Sequence, residues 1–297
     1  MHQSAAFSLF LDLSNITTVE CHRMYIKIGI DPTFFSIGSF EIGWHGVMVV
    51  LAVIVAIGTS LWLAKGSKIE KETIYSAAPW AIVGGIIGAR LFHVIDYFGS
   101  TYRHDPALIF TNFFNGLSIL GAILGGTLAV FLFARLKHLR VGHLADVVAP
   151  ALPLAQAVGR IGCTINGDAY GTPTSLPWAF IYTNPHAAST TILWEARHPS
   201  PVYEIIWDLL LFIVLLLLRG RLKPDGSLFI LYLAIYSFGR FFIEFTRAVT
   251  SNQVNVAGLL HAPHFITLTV FIVCVILLIY RMKKSRALRS GGKIEDL

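Results

Sequence analysis

Three arginines stand where an apolar chain has least use for them. Arg90, Arg160 and Arg240 fall within or at the ends of long hydrophobic runs. Arginine cannot shed its proton, and a charge near the centre of a bilayer costs roughly 3 kcal/mol on insertion scales. Each guanidinium therefore needs an anion, backbone carbonyls or water. A structural ion pair, or a side chain that snorkels to the interface, would satisfy any one of them. An anionic ligand shared by all three is the simpler account. The planar guanidinium fork suits phosphate, and the abundant anion of a membrane is a phospholipid head group. The residues point to a cavity that holds a lipid phosphate.

Three stretches surround these arginines. In FGRFFIEFTR, Arg240, Glu244 and Arg247 share one face of a helix. A glutamate between two arginines holds them in place, either for a ligand or as a plain ion-pair clasp. In GRIGCTINGDAYGTPTSLPWAF, Gly159, Gly162, Gly167 and Gly171 permit close or left-handed backbone beside Arg160, while Asn166 and Asp168 add polar groups. Such a turn can cradle an anion with its free N–H groups; a re-entrant turn without ligand is the alternative. In HPSPVYEIIWD, Tyr203 and Glu204 are placed to enter a cavity. The favoured reading there is a helix start, with His198, Pro199 and Ser200 as capping and entry residues.

The elements that must carry these residues are membrane helices. Of 297 residues, 55% are hydrophobic and only 13% charged, about half the charge of an ordinary soluble domain. A chain this apolar lacks the polar surface that water requires, and a bilayer removes the requirement. Spans of about 20 residues are predicted at 43–64, 74–98, 116–134, 143–162, 202–218, 227–246 and 264–280. Pro150 and Pro153 interrupt the fourth. Gly- and Ala-rich runs at 83–89 and 116–126 allow close helix approach. The expected fold is an all-α integral membrane protein of about seven helices in one membrane domain. It has an outer segment at 1–42, a core at 43–282, a basic tail at 283–297 and an outer cap around 163–201.

The net charge of +6 sits in short clusters between the apolar runs, which is a topology signal and argues against nucleic acid. One set of loops and the C-terminal tail hold 15 Lys and Arg residues; the other side holds Arg23, Lys27, Arg103, Arg197 and Arg247. The positive-inside rule then puts the N-terminus outside and the C-terminus in the cytoplasm. The first 20 residues lack a basic leader and reach Asp12 early, so a cleaved signal peptide is not expected. Cys21, Cys163 and Cys274 make no disulfide framework and no metal spacing, and Cys163 reads as packing. There is no GxSxG or HExxH for a protease, and no inverted repeat for a transporter.

Taken together, FSIGSFEIGWHG, GARLFHVIDYF, NGLSILGAILGG, GRIGCTINGDAYG, Pro177–Trp178, HPSPVYE and GRFFIEFTR resemble the prolipoprotein diacylglyceryl transferase family, over residues 35 to 282. The resemblance implies a seven-helix enzyme of the bacterial plasma membrane. Such enzymes transfer the diacylglyceryl group of phosphatidylglycerol to the lipobox cysteine thiol of a prolipoprotein and release glycerol phosphate. The resemblance makes Arg160 and Arg240 the essential pair, and puts Asn166, Gly167, Asp168, Gly171, Glu244 and Arg247 in the same motifs. Arg90 joins them as a candidate lipid ligand. No cofactor and no metal is required.

The chain departs from the family at three positions. Many members carry a histidine, proposed as the base, where this chain has Leu120. A tyrosine usual after the first-helix Trp is His45, and an asparagine usual after the GR-x-G piece is Cys163. His45 is therefore a candidate for proton handling, since imidazole titrates near neutrality; a polar helix-end residue is the alternative. These departures also keep open a catalytically weakened relative that binds anionic phospholipid or lipoprotein signal peptides.

Overall fold

The computed structural model describes residues 25–38, 40–111, 116–187, 192–248, 255–257 and 260–291. The expected N-terminal outer segment lies largely outside the described residues, as does the end of the basic tail. Among the described residues six helices are long and apolar enough to cross a membrane: α1 (Trp44–Ala64), α2 (Lys71–Asp96), α4 (Ile119–Leu136), α7 (Ser200–Leu218), α8 (Ser227–Glu244) and α9 (Ala262–Gly291). A four-residue helix, α3 (Leu108–Thr111), lies between α2 and α4.

The seventh span is a bent pair, α5 (Val141–Val148) and α6 (Ala151–Asn166), which meet at 44°. The break falls at Ala149 and Pro150, beside the prolines that the sequence marks as an interruption. A proline ring removes a helical N–H and clashes with the preceding turn, so the two halves cannot share one axis. The seven expected spans are all present, with ends displaced by a few residues. The largest displacement is at the last helix, which continues to Gly291 and takes in part of the expected tail.

Helices α2 and α4 pack through their small residues. A Cβ added at Gly88 would lie 2.4 Å from the Gly121 carbonyl oxygen, and one added at Gly121 would lie 2.3 Å from that of Gly88. Gly84 and Gly125 repeat the contact one turn away, where a Cβ on Gly125 would meet the Gly84 oxygen at 2.3 Å. Without a hydrophobic drive between helices in lipid, such backbone approach supplies the dispersion contact. The remaining helices pack in the order α1 on α6, α6 on α7, α7 on α8 and α8 on α9.

The loops that carry the excess of Lys and Arg meet at one end of this bundle. Arg219 donates to the Leu63 carbonyl, and Arg281 donates to the Asp225 carbonyl at 2.6 Å. Beneath them Leu63, Ala64, Ile69, Ile74, Ala134 and Leu144 form a buried cluster. At the other end stands the cap. Helix α6 runs to Asn166, and Gly167 closes it in the left-handed conformation (φ 72°), so the cap begins four residues later than expected. Within it β1 (Ile26–Ile28) pairs in parallel with β4 (Phe180–Tyr182), over a small core of Phe180, Tyr182 and Ile192. A hairpin of β2 (Thr33–Ile37) and β3 (Phe40–Gly43) leads directly into α1, and a second, β5 (Asn255–Ala257) with β6 (Leu260–His261), leads into α9.

Substituting Gly88 by Val forces α2 and α4 apart. The expected cost is about 1–3 kcal/mol, read as a lower thermal midpoint in detergent. Gly58→Val, where an added Cβ meets nothing within 4 Å, leaves the midpoint within error.

Candidate active site

The N-terminal turns of α7 and the C-terminal ends of α6 and α8 converge beneath the cap. Glu204, on the second turn of α7, sits at the meeting point and is 3% exposed. Its Oε2 contacts Arg160 Nη2 of α6 at 2.5 Å, its Oε1 contacts Arg240 Nη1 of α8 at 2.6 Å, and Arg247 Nη1 reaches the same Oε1 at 3.4 Å. Glu244 supports the far side, with Oε2 at 2.7 Å from Arg240 Nη2 and 4.0 Å from Arg247 Nε. Arg240 and Glu244 share a face of α8 as expected, while Arg247 lies past the helix end, bridged to Gly171, and the three form a clasp. It serves to hold two arginines around a third partner, Glu204, that also holds Arg160.

Glu204 is the residue that sequence reasoning underrated. HPSPVYE does start a helix, since α7 begins at Ser200 with Pro201 in its first turn, and that reading hid the second role of its glutamate. The missed signal was a carboxylate one turn inside an apolar span, as costly there as the arginines. Asp208 follows on the next turn, 1% exposed, with neither oxygen hydrogen-bonded.

The start of α7 is pinned so that Glu204 points inward. Ser200 Oγ donates to the Thr246 carbonyl at 3.0 Å, tying α7 to the residues just past α8. Trp178 Nε1 donates to Tyr203 Oη at 2.8 Å, and Tyr203 Oη lies 3.2 Å from His198 Nδ1. Burial lowers the His198 pKa, favouring the neutral ring. The Gly171 N–H donates to the His198 carbonyl at 3.0 Å, and its missing Cβ leaves room for the Thr246 backbone 2.6 Å away.

A second group adjoins the first through Arg160. Its Nη1 lies 3.8 Å from Cys163 Sγ, one turn further along α6. Cys163 Sγ is 3.9 Å from His45 Nδ1, and the same ring nitrogen is 3.4 Å from Asp168 Oδ2. Asn166 Nδ2 donates to Asp168 Oδ2 at 2.9 Å. Two glycines make this possible. Gly167 turns the chain so that Asp168 faces back, and Gly162 lets α1 approach, since a Cβ there would meet the His45 Cα at 3.1 Å. Cys163 is buried, as a packing residue would be, yet its sulfur faces Arg160 and His45.

Arg90 is bonded elsewhere. It is 4% exposed, donates to the carbonyls of Leu108 (2.7 Å), Ile109 (3.0 Å) and Gly116 (3.3 Å), and lies over the Tyr102 ring. Its described hydrogen bonds are the backbone-carbonyl solution to a buried guanidinium. Leu120 is 58% exposed on α4.

Chemically, the first group sets three guanidiniums against two glutamates, an excess of one positive charge among the paired side chains. The arginines are 15–22% exposed at their side chains, so they remain open to an incoming anion. Removing Glu204 leaves three partly buried cations with only Glu244 among them. Breaking a buried pair in this way costs about 3–5 kcal/mol, so Glu204→Gln is expected to lower the thermal midpoint in detergent sharply. Tyr203→Phe, which removes only hydrogen bonds, lowers it less; equal midpoints for Glu204→Gln and wild type contradict the clasp.

Comparison with known proteins follows the same residues. The family described as prolipoprotein diacylglyceryl transferase matches residues 32–280. A phosphatidylglycerol–prolipoprotein diacylglyceryl transferase of Dehalococcoides mccartyi is 38% identical over 266 residues, covering 88% of this chain and 97% of its own. Proteins of the same name from Nostoc sp. (38% identical, 73% of this chain and 78% of its own) and Listeria innocua (34% identical, 86% and 91%) are similar along most of their length. With matches of this extent across the helices that carry Arg160, Glu204 and Arg240, the chain belongs to the prolipoprotein diacylglyceryl transferase family.

Proposed function

We infer that this protein transfers the diacylglyceryl group of phosphatidylglycerol to the lipobox cysteine thiol of a prolipoprotein, forming a thioether and releasing glycerol phosphate. The observation that carries the reading is the clasp of Arg160, Arg240 and Arg247 on Glu204. It is a partly buried cluster of cations with one positive charge in excess of its glutamates, and the relatives' name states both the donor lipid and the acceptor protein.

In this reading Arg160 and Arg240 bind the head-group phosphate, with Arg247 and Glu244 holding their positions. The thiolate sulfur attacks the glycerol carbon that carries the phosphate ester. The C–O bond breaks, its electron pair leaves with the phosphate oxygen, and the two guanidiniums stabilise the charge that grows there. Asn166, Gly167 and Asp168 line the turn beside Arg160. Arg90, held by the carbonyls of Leu108, Ile109 and Gly116, stands apart from this group. The thiol must lose its proton, because the thiolate is the nucleophile. We assign that step to the group of His45, Cys163 and Asp168, which stands beside Arg160. We place the basic end of the bundle in the cytoplasm and the cap outside, in the bacterial plasma membrane, where secreted prolipoproteins emerge.

The test uses purified protein supplied with phosphatidylglycerol and a lipobox peptide, with glycerol phosphate release as the readout. Wild type is expected to turn over, and Arg160→Ala and Arg240→Ala to lose at least about 100-fold, the loss typical of a missing charge stabiliser. No release by wild type would show a relative that only binds lipid or signal peptide. Arginine variants that match wild type would sink the mechanism. His45→Phe is expected to lower turnover at saturating lipid, and unchanged turnover removes His45 from the proton step.

A further inference from the structure

Linear spacing shows no metal-ligand pattern, because His45 and Cys163 lie 118 residues apart. The fold brings together what the sequence separates. The ring nitrogen of His45, the sulfur of Cys163 and a carboxylate oxygen of Asp168 all lie within 4.8 Å of one another. We propose that these three side chains form a zinc(II) site whose fourth position takes the thiolate of the incoming peptide.

The geometry suits the ion. Zinc sits about 2.0 Å from nitrogen and oxygen ligands and about 2.3 Å from sulfur. Tetrahedral donors are then about 3.3–3.6 Å apart. Here His45 Nδ1 is 3.4 Å from Asp168 Oδ2 and 3.9 Å from Cys163 Sγ, and all three donors lie within 4.8 Å of one another, so small shifts bring three corners to this spacing. Nitrogen, thiolate and carboxylate together are a zinc donor set. Outer partners are in place as well. Asn166 Nδ2 holds the Asp168 carboxylate at 2.9 Å, and Arg160 Nη1 faces the Cys163 sulfur at 3.8 Å. The thiolate and the carboxylate cancel the two charges of the ion, so the bound metal does not repel Arg160.

Three protein ligands with one corner open is the arrangement of zinc sites that do chemistry. The side chains of His45 and Asp168 are 38% and 31% exposed, so a peptide can reach that corner. The role of the open corner rests on the transferase reading. The peptide S–H gives its proton to a zinc-bound hydroxide, which leaves as water, and the sulfur electron pair forms the S–Zn bond. That sulfur then attacks the glycerol carbon as the C–O electron pair departs with the phosphate, which Arg160 receives one helical turn from Cys163. Thiol activation is thereby obtained without a histidine at Leu120.

Cobalt(II) is the probe, because a cobalt–thiolate bond gives a sulfur-to-metal charge-transfer absorption. Purified full-length protein titrated with Co(II) is expected to show this band at one equivalent, and zinc(II) to displace it. Cys163→Ser and Asp168→Asn should weaken binding at least 10-fold, with the band lost in Cys163→Ser. Cys274→Ser, on α9, should keep it. A wild type without the band, or a band that survives in Cys163→Ser, overturns the site whatever the protein's activity. Adding a lipobox peptide should intensify the band, and a peptide with serine for cysteine should not. A Co(II) site that ignores the cysteine peptide, in protein that still releases glycerol phosphate, overturns the thiolate role and leaves the transferase reading standing. A Co(II) site in protein that releases none separates the two the other way.

Discussion

Glu204 is the constraint on which the site depends. Three guanidiniums cannot gather in a low-dielectric bundle on their own, because each loses its hydration and repels the others. One carboxylate with both oxygens engaged draws Arg160 of α6, Arg240 of α8 and Arg247 just past α8 to one point. Glu244 holds the remaining fork of Arg240. In the proposed reading an anion offsets the one positive charge left over among these five groups, at a site organised before that ligand arrives.

The rest of the fold keeps that point in place. The bend between α5 and α6 sets the direction of the half-helix that carries Arg160 and Cys163. The bonds from Ser200 to Thr246 and from Trp178 to Tyr203 fix the rotation of α7, and with it the aim of Glu204. Glycine enters where backbones must touch, at Gly162 for α1 and at Gly88 and Gly121 for the α2–α4 seam. The cap closes the same end, with β1 from before the first helix pairing to β4.

Much of this was legible in the chain itself. Apolar run length located the spans among the described residues, prolines located the bend, and helical spacing put Arg240 and Glu244 on one face, with Arg247 just past the helix end. What stayed hidden depends on contacts between distant segments. Glu204 looked like part of a helix start because it is one; its partners lie 36 to 44 residues away on other elements. Arg90 looked like its fellow arginines, and only the fold reveals that the carbonyls of Leu108, Ile109 and Gly116 receive it. His45, Cys163 and Asp168 looked like three unrelated departures or motif residues until α1 and α6 were packed together.

The departures also make a pattern. Where relatives are expected to carry tyrosine and asparagine, this chain has imidazole and thiol, and the two face each other beside Asp168. In the proposed reading these two positions belong to the thiol end of the site, and Arg160 and Arg240 to its phosphate end. The central claim is the phosphate end, and its most direct measurement is lipid retention by native mass spectrometry. Protein purified in detergent and offered equal phosphatidylglycerol and phosphatidylcholine should retain phosphatidylglycerol preferentially, and the folded Arg160→Ala/Arg240→Ala double variant should lose that preference. An unchanged preference in the double variant would contradict the account.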